Sequence, residues 1–286
     1  MAFSAHKTQL RDVRIPGIKN IIAVASGKGG VGKSTVSINL ALAFQALGYK
    51  TGILDADIYG PSQPLMLGTS DASPETTDQK TLEPVIQYGL QTMSIGYLVE
   101  DQTAMIWRGP MASKALQQIL NDTAWKNLDI LVVDLPPGTG DIQLTLSQKI
   151  PVTGGIIVTT PQDLSLLDAT RALNMFKKVG IHLFGLVENM SSFHCPHCHQ
   201  ETDIFGHGGG EKMAQAQEIE LLQKLPLSIL TRECTDQGKP LVIAHPESSE
   251  ASNYQALAEK LISKIQKRPK HYGNLFGEIK VERNTV

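Results

Sequence analysis

Asn20–Ser26 (NIIAVAS) runs directly into Gly27-Lys28-Gly29-Gly30-Val31-Gly32-Lys33-Ser34-Thr35. Lys33–Leu47 then carries Ile38, Ala41, Leu42 and Gln45 at helical spacing until Gly48 stops it. A short, β-rich apolar run reads as a strand covered on both faces. The loop fits G-x-x-x-x-G-K-[ST] without mismatch, and strand-loop-helix is the context that confirms a phosphate loop. Gly27, Gly29, Gly30 and Gly32 let backbone N–H groups around Val31 turn toward phosphate oxygens. The helix N-terminus adds positive potential. Lys33 is placed to neutralise β- and γ-phosphates, and Ser34, followed by Thr35, to offer a hydroxyl to Mg2+.

Outward from this loop, apolar runs alternate with helical patterns. Strands are expected at Thr51–Leu54, Leu128–Leu135, Gly154–Thr160 and Leu183–Glu188. Helices are expected at Ala112–Asn121, Ile142–Lys149, Ser165–Val179, Gly210–Gln217 and Ser252–Lys267. Such alternation predicts an α/β fold, a mostly parallel sheet with helices on both faces. No internal repeat interrupts it. Gly68–Glu83 is polar and rich in Pro, Asp and Thr, as a long surface loop is. The expected division is an arm at 1–16, a P-loop ATPase domain at 17–268 with an insertion at about 191–210, and a tail at 269–286.

The 286 residues are 41% hydrophobic and 19% charged, the composition of a folded globular chain. Lys and Arg number 26 against 28 Asp and Glu, so no global basic footprint for nucleic acid exists. No apolar run approaches the roughly 20 residues of a membrane span. The first residues lack the apolar core of a secretory signal. Three cysteines do not make a disulfide framework, and a cytoplasmic protein is expected.

Further carboxylates end the other strands. Asp55 and Asp57, in LDADIYG, can hold metal-bound water and orient the attacking water; Asp57 is assigned to the water and Asp55 to the metal. Asp134 closes ILVVD, the place of a carboxylate for the Mg2+ shell, and the following PPGTGD backbone can sense a γ-phosphate. Asn189, after GLVE, has an amide able to read an adenine edge.

Lys28 is not needed for ordinary phosphate binding. The string KGGVGKST resembles the deviant Walker group that includes MinD, ParA, ArsA and the nitrogenase iron protein. The resemblance implies that Lys28 reaches across a homodimer interface to the partner's nucleotide, as an arginine finger does. Lys28, Lys33 and Asp57 are then the catalytic residues.

Cys195-Pro196-His197-Cys198 places two thiolates on one tight turn. A single-chain zinc site would add two of His194, His197, His199 and His207. A thioredoxin-like redox site would open a long helix, which Gln200–Gly210 with its glycines does not suggest. Two inert surface cysteines are a further alternative. A [4Fe–4S] cube takes four thiolates, and a twofold dimer would supply Cys195 and Cys198 twice. The dimer implied by Lys28 has the same symmetry. Cys234, isolated, reads as a buried apolar residue.

The chain as a whole resembles the Mrp/ApbC family of iron–sulfur cluster carrier ATPases. The likeness rests on Ala25–Thr35, Leu54–Ser62, Met105–Leu116, Asp134–Asp141, Thr159–Ala169 and VENMS with CPHC. It implies an ATPase of slow, switch-like turnover with ATP, Mg2+ and a [4Fe–4S] cluster. Its implied partners are a second copy, apo iron–sulfur proteins and a cluster assembly scaffold, without nucleic acid or stable membrane association. Many bacterial members carry a small extra domain before the P-loop, where about 20 residues stand here. The competing expectations are a ParA/MinD-type positioning ATPase on DNA or membrane, and a zinc-binding adaptor. A membrane anchor would use the stripe Tyr254, Leu257, Leu261, Ile262 and Ile265.

Overall fold

The computed structural model describes residues 3–8, 10, 13–76, 78, 80–98 and 109–270. Residues 105–108 of the string Met105–Leu116 lie outside them, as do parts of the N-terminal stretch and residues 271–286. In chain order the elements are β1 (Ile18–Ser26), α1 (Lys33–Ala46), β2 (Thr51–Asp55), α2 (Gln63–Met66), β3 (Val85–Gln87), β4 (Leu90–Ser94), α3 (Gly109–Asp122), β5 (Leu128–Asp134), α4 (Asp141–Lys149), β6 (Gly154–Thr159), α5 (Asp163–Lys178), β7 (Leu183–His194), β8 (Glu201–Thr202), α6 (Gly209–Ala216), β9 (Leu221–Leu227), α7 (Ile229–Asp236), α8 (Leu241–Ala244) and α9 (Ser249–Gln266).

The strands form one sheet in the order β3-β4-β2-β5-β1-β6-β7, with β8 and β9 both paired to β7. Every pairing is parallel except β3 with β4 and β7 with β8. Side chains alternate across a strand, so each central strand feeds two cores. Ile22 and Val24 of β1 join Ile130 and Val132 of β5 and Ile156 and Val158 of β6 beneath α1, α8 and α9. Ile21, Ala23 and Ala25 join Leu131, Val133 and Ile157 beneath α3, α4 and α5. This is why these strands read as unbroken apolar runs. α1 is apolar nearly all round for the same reason: it lies between the sheet and α9, with Val36, Ile38, Leu40, Leu42 and Phe44 buried.

Four features differ from the sequence expectation. β7 does not stop at Glu188 but continues to His194, so the 191–210 segment begins as sheet. The hairpin Val85–Ser94 turns at Tyr88 and Gly89, both at positive φ (50° and 79°), the geometry of a two-residue turn matched to strand twist. β9 completes the far edge beside β7, and α7 leads from it to pack on α8 and α2. The N-terminal stretch is more than an arm: Phe3 packs edge-on to Tyr49 at 4.9 Å, and His6 bonds Asn20.

The α9 stripe Tyr254, Leu257, Leu261, Ile262 and Ile265 is buried in the α1 core, which leaves no exposed apolar face of those residues for a bilayer. Among the described residues no helix is long and apolar enough to cross a membrane. Truncating Phe44, fully buried between sheet and α9, to alanine should cost about 3–5 kcal/mol, measured as a lowered urea midpoint.

Candidate functional site

Parallel register decides the site. Asp55 ends β2 and Asp134 ends β5, and the pairing sets them directly opposite each other, with Val24 of β1 opposite Asp134 on its other side. Both carboxylates are fully buried. The loop that leaves β1 delivers the compensating cation: Lys33 Nζ lies 2.7 Å from Asp134 Oδ1. Ser37, one helical turn on, donates to the same oxygen at 2.8 Å. Lys33 Nζ is also 3.2 Å from Ser34 Oγ.

The loop's shape requires glycine at three places. Gly30 and Gly32 both have φ of 79°. A Cβ on Gly32 would stand 2.2 Å from the Asn189 amide nitrogen, and one on Gly27 would meet the backbone of Asp168 in α5 at 2.1 Å. Gly32 also caps α1 without a side-chain bond. The first-turn N–H groups of α1 are thereby left for an anion. Gly29 has open space around it, and Val31 is buried. Thr35 is half-buried at the edge of the neighbouring cleft. Lys28 is half-buried and, unlike Lys33, enters no ion pair among the described residues.

Asp55 accepts from the backbone N–H groups of Asp57 (3.1 Å), Ser62 (2.9 Å) and Gln63 (3.0 Å) and from the Ser94 hydroxyl (3.2 Å). Burial, with Asp134 beside it, pushes its carboxyl up to about 7. Asp57 is half-buried at the mouth, its carboxyl raised chiefly by burial. Gln63 was not anticipated. Its Nε2 donates to Asp134 Oδ2 at 3.0 Å and to the Ser34 carbonyl at 3.1 Å. Its Oε1 and the nearby Ser62 Oγ are buried without a hydrogen-bond partner among the described residues. Hydroxyl and carboxylate oxygens with unpartnered polar oxygens beside them make a hard donor set, which fits Mg2+ with its retained waters. Ser34, Asp55 and Asp134 are the residues that would hold it.

Asn189 reaches the loop from β7. Its Nδ2 donates to the Val31 carbonyl at 2.9 Å, which fixes the amide and leaves Oδ1 as acceptor. Asn189, Met190, Pro226, Thr231, Arg232 and Tyr254 help line a cleft of about 260 Å³ that opens beside Gly32 and Thr35.

The cysteine pair sits elsewhere. β7 and β8 form a hairpin, with Phe193 opposite Thr202 and His194 opposite Glu201, and Cys195–His199 is its tip. Cys195 N–H donates to the Gln200 carbonyl at 3.1 Å, and His199, at φ 59°, closes the turn on the Cys195 carbonyl at 2.9 Å. Cys195 is half-buried and Cys198 exposed; neither is in a disulfide. Backbone N–H groups of Cys198 and His197, with the Cys198 thiol, hold the Cys195 thiol below its ordinary range. A hairpin tip is not the helix N-terminus of a thioredoxin-like site. His207 pairs with Asp203 at 2.9 Å. Among the described residues no three His, Cys, Asp or Glu side chains gather as a metal site. Cys234 is buried in the core.

Comparison with known proteins agrees with this geometry. Residues 17–262 match the family described as ParA, NUBPL iron-transfer P-loop NTPase. The chain is 55% identical over 251 residues to the iron–sulfur cluster carrier protein of Haemophilus influenzae, covering 88% of this chain and 68% of that one. A nucleotide-binding protein from Archaeoglobus fulgidus, solved with ADP, superimposes with a TM-score of 0.71 at 36% identity, over 83% of this chain and 91% of that one. The fold also matches the cell division ATPase MinD of Pyrococcus furiosus, with a TM-score of 0.64 at 24% identity, over 86% and 99% of the two chains.

The raised Asp55 carboxyl has a consequence for stability. A carboxyl that holds its proton more tightly when folded stabilises the fold below its unfolded value near 3.8, and that stability is lost as pH rises through about 7. Urea unfolding of the nucleotide-free chain should therefore show a component of stability that declines between those pH values and is missing from Asp55→Asn.

Proposed function

The chain belongs to the ParA, NUBPL iron-transfer family of P-loop NTPases, and on that premise we propose that it is an ATP-dependent carrier that transfers a [4Fe–4S] cluster to apo-proteins. The observation that carries the reading is the hairpin tip. It presents Cys195 and Cys198 together, partly open to solvent, and no third ligand gathers near them among the described residues. Two thiolates half-satisfy a cube. A second copy brings the other two, and the cluster lies on the twofold axis as cargo. The same shortage of ligands argues against a zinc site within one chain.

ATP occupies the loop from Gly27 to Thr35. Lys33 turns from Asp134 to the β- and γ-phosphates, and first-turn N–H groups of α1 hold their oxygens. Mg2+, when bound, supplies charge that offsets the phosphates. Asp57, at the mouth of the site, holds the attacking water. Asn189 Oδ1 accepts from the exocyclic amine of adenine, a donor that guanine lacks at that position. Lys28, in no ion pair among the described residues of its own chain, contributes charge to the partner's nucleotide in a homodimer, as a deviant Walker loop does. Turnover is slow and works as a switch on cluster loading or release. The chain takes its cargo from an assembly scaffold in the cytoplasm, without nucleic acid or stable membrane association.

Anaerobic reconstitution with iron and sulfide tests this. The native chain should gain the visible absorbance of a thiolate-ligated cluster and elute as a dimer. Cys195→Ser or Cys198→Ser should lose the cluster and keep ATP binding, because the two sites use separate loops. A chain that instead retains its own zinc ion and takes up no iron would refute the carrier reading. Lys33→Ala should show the converse, a cluster retained and productive ATP binding lost, by equilibrium binding of a fluorescent ATP analogue.

A further inference from the structure

We propose that Gln63 is a positioning residue for the metal side of the nucleotide site, holding Asp134 in place when Lys33 leaves it and accepting a hydrogen bond from a water on the metal; this rests on the reading of the loop as a Mg·ATP site. Gln63 opens α2, in the same segment as Asp57, and is almost fully buried. It touches three parts of the site at once. Its backbone N–H is on Asp55, and its Nε2 is shared between Asp134 and the Ser34 carbonyl.

The division of labour on Asp134 is the main argument. Oδ1 holds Lys33 and Ser37, and Oδ2 holds Gln63. Binding of phosphate draws the lysine away. Asp134 then remains a buried carboxylate beside a second buried carboxylate, a costly arrangement without donors. Ser37 and Gln63 are the donors that stay among the described residues. Gln63 is the one that also reaches the Ser34 backbone, so it keeps carboxylate and metal-binding hydroxyl in fixed relation.

The amide's orientation is determined by chemistry. Two acceptors face Nε2, and turning the amide over would set oxygen against both. Oε1 is thereby directed away from them, and it is buried with no partner among the described residues. A buried amide oxygen left without a donor is uncommon. A water held by Mg2+ is a strong donor of the kind it lacks. The alternative is that Gln63 merely plugs the space at the ends of β2 and β5.

Gln63→Met keeps an unbranched side chain of similar length and removes both amide atoms. Gln63→Glu keeps the shape and removes the donor to Asp134. The measurement is equilibrium binding of a fluorescent ATP analogue to the full chain, titrated with Mg2+ and repeated in EDTA, with thermal unfolding alongside. Loss of an outer partner of a metal ligand weakens metal binding by about ten- to a hundredfold, so half-saturating Mg2+ should rise by that factor while EDTA binding stays within about twofold. A plug would lower the unfolding temperature and weaken both kinds of binding together, and that outcome overturns the proposal. So does a Mg2+ titration in which both variants coincide with the native chain. A native chain whose nucleotide binding ignores Mg2+ overturns the reading of the site itself, and the proposal with it.

Discussion

Two carboxylates stand abreast, fully buried, at the ends of adjacent parallel strands. Asp55 and Asp134 are placed by register, and nothing in the backbone pairing spares them each other's charge. Much of the surrounding design follows from this. Lys33 is drawn 2.7 Å from one of them, three backbone N–H groups and a hydroxyl surround the other, and Gln63 joins the two. Burying unpaired charge is far costlier than a typical hydrogen bond gains. Lys33 is therefore held against Asp134 from within the loop. On the proposed function, that lysine is exchanged for a metal ion and phosphate when nucleotide enters.

Much of this was legible because phosphate binding demands particular residue types. Glycine at positive φ, a lysine at the helix start and carboxylates at strand ends leave a mark that survives without any structure. The doubly covered strands were legible for a similar reason, since both faces need apolar residues. The missed parts lack such a mark. β7 beyond Glu188 reads Asn189-Met190-Ser191-Ser192, too polar to resemble a central strand. Met190 adopts φ 56° there, and the pairing with β9 slips between Asn189 and Phe193. β9 itself carries Gln223, Lys224 and Pro226 in seven residues.

Gln63 was invisible for a different reason. Its role comes from burial on a four-residue helix, and a helix that short has no periodicity to detect. The reach of its amide to Asp134 spans 71 positions of sequence. Residues that hold other residues in place leave weaker sequence signals than the residues they hold. The hairpin was partly legible: the cysteines stood out, while the sheet that carries them did not.

The extension of β7 sets a length scale for the whole molecule. Asn189 touches the phosphate loop and Cys195 begins the hairpin tip, six residues along one strand. At roughly 3.3 Å per residue that is a separation on the order of 20 Å. At physiological salt the interaction between solvent-exposed charges fades over about 8 Å. The charge of a γ-phosphate is thus too remote and too screened to act directly on the sulfurs. On the proposed function, a message between the two ends within one chain would travel as displacement of β7, whose pairing with β9 slips between Asn189 and Phe193.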